Sequence, residues 1–255
     1  MAVATISEAT NTKLGPLIHA WAIPAGTTCP GETALCSTAC YAKAGHFRYG
    51  TTQACHLRNL AFSRTPEFVD WMRSSLSANF VRVMRVHTAG DFYDLDYVRK
   101  WQQIITSCRQ TQFFGYTRSW RIPELLPALI QLSQAPNMSL WWSLDRETGP
   151  APIVRGIRRA YMAIDDVDAQ TAPNDCDLVF RVRTSQPMKK ANGIQVCPPE
   201  NGVTTQSKIT CSRCGICWRS QTAPRWEGLL TTAPARELLA PTNQGRSNAL
   251  SHSQT

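Results

Sequence analysis

The chain has 255 residues, with 27 Lys and Arg against 18 Asp and Glu, ten Cys, and a formal net charge of +9. At 43 % hydrophobic and 18 % charged it can bury a sizeable core without disulfide staples, and a disulfide framework is the alternative use of its cysteines. No apolar run approaches the roughly 18 residues of a membrane span, and the opening MAVATISEATNTK lacks the basic start and apolar run of a secretory signal.

In chain order, Leu17–Ile23 is a short apolar run predicted to be a strand. Thr65-Pro66 is expected to open a helix, Thr as cap and Pro at the first helical position, with Phe68, Val69, Trp71, Met72 and Leu76 mostly on one face. Phe80–Val86 follows as a β-branched strand ending in His87-Thr88-Ala89-Gly90-Asp91. Tyr97, Val98, Trp101, Ile104, Ile105 and Cys108 mark an amphipathic helix capped by Asp94. Gln112–Tyr116 is a strand, Pro123–Leu132 a helix that Pro127 should distort, and Met138–Leu144 a strand with two tryptophans. Pro152–Ala160 is expected as a short basic helix, then Tyr161–Ile164 and Leu178–Val182 as strands.

Alternation of this kind predicts an α/β fold: a parallel sheet with crossover helices, forming either a partial barrel or an open doubly wound sheet. Such sheets carry their sites at the carboxyl ends of the strands. Those ends hold His87, Asp91, Thr117, Arg118, Ser143, Asp145, Asp165, Arg181 and Arg183, a shared polar rim. Asp165, Asp166 and Asp168 are expected to form a solvated turn, with a divalent-cation site as the alternative. Residues 11–184 make the barrel, 185–218 a cysteine-rich module folded by bound metal, and 219–255 a tail expected to be largely disordered, apart from a short helix around Ala235–Leu239.

Seven of the ten cysteines fall in two clusters. Cys29, Cys36 and Cys40 follow the first strand; Cys197, Cys211, Cys214 and Cys217 lie near the end of the chain. A cytoplasmic location is expected, where clustered thiols favour metals over disulfides. Four thiolates suit zinc or a [4Fe–4S] cluster, and the split of one plus three is closer to ferredoxin-like ligation than to a zinc ribbon. Three thiolates on a cluster leave one iron open. The alternative there is a closed zinc site completed by His46, His56 or Cys55. The basic balance favours a polyanionic partner, DNA or RNA.

A six-stranded partial (β/α)6 barrel of TIM-barrel kind, with three cysteines after its first strand and the ending Cys40-Tyr41-Ala42, resembles the radical S-adenosylmethionine superfamily. That resemblance implies a [4Fe–4S] cluster on Cys29, Cys36 and Cys40 that binds S-adenosylmethionine and cleaves it reductively. It makes Gly90 and Asp91 the amine-binding stretch, with Asp91 the candidate catalytic residue. It makes Ser143 and Arg181 the holders of ribose and carboxylate, and the C-terminal thiols an auxiliary cluster. The spacing is C-x6-C-x3-C where that family has C-x3-C-x2-C. From about Asn11 to Trp218 the chain more closely resembles a phage and plasmid family of the "gene product eighty-eight" type. The residues that carry this are Pro24–Gly31, Cys40-Tyr41-Ala42, Gly90-Asp91-Phe92, Tyr116-Thr117-Arg118 and Cys214-Gly215-Ile216-Cys217-Trp218. This implies a mobile-element protein and specifies no reaction. The expected function is an iron–sulfur enzyme acting on a nucleic acid or nucleotide. The competing expectation is a non-enzymatic nucleic-acid-binding or regulatory protein with structural or redox-sensing iron–sulfur or zinc sites.

Overall fold

The computed structural model describes residues 4–7, 12–202 and 209–219, which all belong to one compact unit. The expectations for the tail beyond residue 219 fall outside the described residues.

Strand β1 (Ile18–Ala20) leads into the cysteine loop and the short helix α1 (Ala34–Ala39). Helix α2 (Gly50–Ser63) follows; its apolar residues have no clear period, so no amphipathic pattern announces it. Helix α3 runs from Phe68 to Ala78 and buries Phe68, Met72 and Leu76. Its cap is Glu67 and not Thr65, whose side-chain oxygen accepts from no helix N–H. Strand β2 is Val83–Val86; Phe80, at φ 49° and largely exposed, belongs to the turn before it. Helix α4 (Leu95–Ser107) starts where expected, the Asp94 carboxylate accepting from Tyr97 N at 2.8 Å.

Strand β3 is Gln112–Thr117 and helix α5 is Leu126–Ser133. Pro127 stands in the first turn of α5, where its missing N–H has no intrahelical partner to lose, so it starts the helix and does not distort it. Strand β4 is Met138–Leu144, as predicted. The basic helix expected at Pro152–Ala160 is absent. Residues 151–157 are loop, and Arg158 opens strand β5 (Arg158–Ala163), because Arg158 and Ala160 pair with β4. Helix α6 (Asp166–Ala169), strand β6 (Leu178–Arg181), the small hairpin β7 (Lys190–Ala191) and β8 (Ile194–Gln195), and helix α7 (Cys211–Cys214) follow among the described residues.

The six long-range strands are all parallel and lie in chain order, β1 to β6, as a curled half-barrel. Helices α3, α4 and α5 cover the outer face, packing Phe68, Trp101 and Leu129 onto Met84, Phe113 and Trp142. Side chains alternate along each strand, so the inner face carries Ala20, Arg85, Phe114, Tyr116, Trp141, Ser143, Arg158, Ala160, Leu178 and Phe180. The C-terminal cysteine segment is built into that inner face and does not stand apart as a module. Cys211 N and Ser212 N donate to Lys13 O and Leu14 O, Cys197 N donates to Val179 O, and Trp141 Nε1 donates to Cys217 O.

Candidate functional site

The first cysteine loop begins with a tight turn, Cys29 N to Gly26 O at 3.0 Å, and ends with α1, which carries Cys36. Two side chains satisfy the free N–H groups at the start of α1. Thr33 Oγ1 accepts from Cys36 N at 2.9 Å, and Glu147 Oε2 accepts from Leu35 N at 2.9 Å. The Thr33 hydroxyl in turn donates to Asp145 Oδ2 at 2.6 Å, and Asp145 pairs with Arg118 at 2.7 Å. Arg118 lies at the end of β3 and Asp145 at the end of β4. A buried ion pair between two strand ends therefore fixes the residue that caps the cysteine helix.

Asp91, at the end of β2, is a second fastening. Its carboxylate accepts from Phe92 N at 2.7 Å and Arg118 N at 2.8 Å, and its own N–H donates to Thr28 O in the cysteine loop. Burial pushes the Asp91 carboxyl upward, against the pull of hydrogen bonds from Thr117 and Arg118. A carboxylate so committed ties loops together, and its lone pairs are largely spent before any cofactor amine arrives. Gly90 adopts φ +81°, and a Cβ there would lie 2.4 Å from Ile23 Cγ1 and 2.6 Å from Thr28 Oγ1. Its role is the close approach of the β2 end to the cysteine loop.

The remaining nominees divide by strand parity. Ser143 is on the inner face and accepts from Arg118 Nε at 3.3 Å. Arg181 is on the outer face. Its guanidinium pairs with Asp166 and donates to Gln186 O at 2.9 Å and Glu200 O at 3.2 Å. That places Arg181 away from the thiol loop, as a brace for residues 185–202. Asp166 and Asp168 are buried, contrary to a solvated turn; Asp168 accepts from Ile164 N, Asp165 caps α6, and Asp166 takes Arg181 and Ser185.

All ten cysteines are free. Burial, with the charge of Asp91 next, pushes Cys29 up to about 12. Burial also raises Cys36, while the Arg118 guanidinium draws it down and Cys40 pushes it up. Cys29, Cys36 and Cys40 thus lie in electrostatic reach in sequence. His46 stacks on Phe47 at 4.8 Å, and His56 faces the same ring at 6.0 Å. In the second group, burial raises Cys197 well above its usual value and Cys217 to about 12; Cys211 acts on Cys197, Cys214 and Cys217. Among the described residues no three Cys, His, Asp or Glu side chains stand as one metal-sized group. A single zinc, with bonds of about 2.3 Å to sulfur, would need the sulfurs drawn together. The donor chemistry fits a thiophilic centre. Burial favours the protonated thiol, and a bound cation would favour the thiolate.

Arg85 and Tyr41 lie between the two groups, and the sequence did not single out either for a role in the site. The Tyr41 hydroxyl donates to Thr88 O and accepts from Arg85 at 3.4 Å. Arg85 also reaches the Tyr116 ring at 5.6 Å, and the Tyr116 hydroxyl lies beside Cys217, with no hydrogen-bond partner of acceptable geometry. His87 has φ 66°, is buried, and shares its Nε2 with the Tyr97 hydroxyl at 2.9 Å. Burial, helped by the Arg85 charge, pushes it down to about 3, so it is a neutral core residue at neutral pH. No helix among the described residues is long and apolar enough to cross a membrane.

No solved structure matches the chain. The Gene 88 protein of Mycobacterium phage D29 is 25 % identical over 207 residues, covering 75 % of this chain and 78 % of the relative. The Gene 88 protein of Mycobacterium phage L5 is 24 % identical over 206 residues, with the same shares covered. The family model described as Gene product 88 matches residues 3–220, and the chain belongs to that family.

Proposed function

We propose that this protein is an iron–sulfur protein with an open cluster on Cys29, Cys36 and Cys40 and a closed one on Cys197, Cys211, Cys214 and Cys217. The observation that carries the reading is the placement of the first three thiols. They sit at the carboxyl end of β1 in a parallel half-barrel, on a loop fastened to the ends of β2, β3 and β4 through Asp91, Arg118 and Asp145. A cluster held by three thiolates keeps one iron for an outside ligand and supplies single electrons to it.

S-adenosylmethionine is the ligand we propose, on the likeness of the half-barrel and loop to radical S-adenosylmethionine proteins. The chain's own contribution is positional. Thr33 and Glu147 orient α1, Gly90 lets the loops close, and Arg118 with Ser143 presents polar groups on the inner face below the thiols. Asp91 acts here by fastening, and Arg181 takes no part. The test is purification without oxygen followed by iron, sulfide and zinc analysis. Dithionite-reduced protein should then convert S-adenosylmethionine to methionine and 5′-deoxyadenosine, the electron coming from dithionite and the hydrogen atom from a C–H bond of substrate or of an organic buffer component. Stoichiometric zinc with no sulfide would overturn the reading.

The net charge of +9 favours a second reading, a nucleic-acid-binding phage protein whose thiol sites are structural or redox-sensing. Zinc without sulfide, together with retardation of DNA or RNA that weakens linearly in log–log salt plots, would decide for it.

A further inference from the structure

Most arginines buried in the sheet meet a carboxylate. Arg118 pairs with Asp145, Arg159 with Asp175 and Arg181 with Asp166. Arg85 and Arg158 are the exceptions. Both are partly buried on the inner face, and neither has a carboxylate partner among the described residues. Arg158 lies 3.8 Å over the Trp141 ring and donates to Ile216 O at 2.6 Å and Cys217 O at 3.3 Å. Arg85 donates to His87 O at 3.2 Å and faces the hydroxyls of Tyr41 and Tyr116 and the thiols of Cys211 and Cys217. Cys217, Tyr116 and Asp177 lie within electrostatic reach of Arg158, and the Asp177 carboxylate already accepts from Arg159 N. Of the other cations at this site, Lys13 is paired with Glu200, and Arg219 belongs to the thiol segment itself, over the Trp218 ring.

Two guanidiniums withdrawn from water without anions are costly. Four protonated thiols give them no counter-charge. Four thiolates around a doubly charged core, whether a zinc ion or an oxidised [4Fe–4S] cluster, make a dianion. We propose that Arg85 and Arg158 are the resident counter-ions of a dianionic metal centre on Cys197, Cys211, Cys214 and Cys217. The inference rests on the metal-binding part of the reading above and is indifferent to which core is bound. Arg85 and Arg158 are positioning residues: Arg158 touches the thiol segment, Arg85 faces its thiols, both hold its charge, and neither takes part in chemistry at the rim.

The test uses the full chain, stripped of metal and reduced, and titrated with Co(II) alone. Intensity of the thiolate-to-cobalt band reports the number of thiolates bound. Wild type should give a four-thiolate tetrahedral spectrum. Arg85→Gln and Arg158→Gln should each weaken Co(II) binding by at least about tenfold, since a buried unit charge at contact range is worth more than one decade. Arg85→Lys should stay within about threefold of wild type, because it keeps the charge while losing the fork. Arg159→Gln, on the outer face of the same strand and paired with Asp175, should leave Co(II) affinity unchanged. If Arg85→Gln does not fold, Arg158→Gln carries the same expectation. Glutamine variants that match wild type overturn the proposal, and so does an Arg85→Lys variant as weak as Arg85→Gln. Iron and sulfide content of the protein as isolated decides the iron–sulfur reading separately; a zinc protein with this order of affinities would sink that reading and leave this one standing.

Discussion

The fastening of the cysteine helix can be broken with one atom exchanged, in Asp145→Asn. Asp145 and Arg118 are 2.7 Å apart, with side chains 0 % and 5 % exposed, so the variant strands a buried cation. Removing one partner of such a pair costs about 3–5 kcal/mol. An asparagine oxygen can still accept from the Thr33 hydroxyl, which keeps the expected loss near the lower end, about 3 kcal/mol. Urea denaturation at neutral pH should show it as a lower midpoint with an unchanged slope. Limited proteolysis should cut faster within residues 34–40, and metal should be lost from the first three cysteines before the last four. The double variant Arg118→Met with Asp145→Leu removes both charges and should lose clearly less than the two single losses added. An Asp145→Asn variant within about 0.5 kcal/mol of wild type, or a double variant equal to the sum of its parts, would refute the idea that this pair holds the loop.

Gly90→Ala should cost about 2–4 kcal/mol, from left-handed strain plus overlap with Ile23 and Thr28. Gly149→Ala, at φ +70° with open space around it, should cost only the strain, about 1–2 kcal/mol; equal losses at both positions would show that the loop contact contributes nothing. His87→Asn tests acid stability. Burial holds His87 down to about 3 in the folded chain, so between its unfolded value near 6.5 and that point the unfolded chain binds the extra proton and stability falls with falling pH. Through this group wild type should lose about 2.7 kcal/mol between pH 7.5 and pH 4.5, a loss the asparagine variant should lack. Parallel urea-midpoint curves for the two proteins would contradict a neutral buried histidine. Thr33→Val should unfasten α1 and lower metal retention at the first site, with a stability loss of about 1–2 kcal/mol for the lost cap; full retention of metal would mean that α1 is held by Glu147 alone.

The parts of this fold legible in the sequence are those where burial and period agree. Met138–Leu144 is apolar on both faces because β4 is central in the sheet, and Asp94 announces α4 because its carboxylate has one evident use. The failures have physical causes too. Arg158 and Arg159 look like a basic helix when solvent is assumed, but they are strand residues whose guanidiniums reach opposite faces, one to Cys217 O and the other to Asp175. Helix α2 lies beside the cysteine loop with only Asn59 and Ser63 buried, so no apolar stripe marks it. The rim residues Asp91, Arg118, Ser143 and Asp145 do cluster as strand-end logic predicts, while His87 turns into the core against Tyr97. Their individual roles depend on parity and hydrogen bonds that the sequence does not carry, which is why Asp91 proved to be a fastening and Arg181 a brace.

The inner face has a further consequence for how metal and fold depend on each other. A half-barrel leaves one side of its sheet without helices, and apolar residues there must be covered by something. Here Ile18, Val83 and Phe114 are packed with Cys211, Cys217 and Trp218, while Trp141, Ala160 and Leu178 are packed with Cys197, Ile216 and Cys217. The cysteine segment is therefore the lid of the hydrophobic core as well as the proposed ligand set. Its attachment rests on backbone bonds to Lys13, Leu14 and Val179 and on the two indole and guanidinium contacts to Cys217 O. Little of its own material is apolar, so a centre that cross-links Cys197 to the Cys211–Cys217 turn would lend its binding energy to the closure of the inner face. Stability of the barrel and occupancy of the second site are then one linked equilibrium. The proposed first site, fastened by Thr33, Arg118 and Asp145 at the carboxyl ends of the strands, would then empty without opening the core.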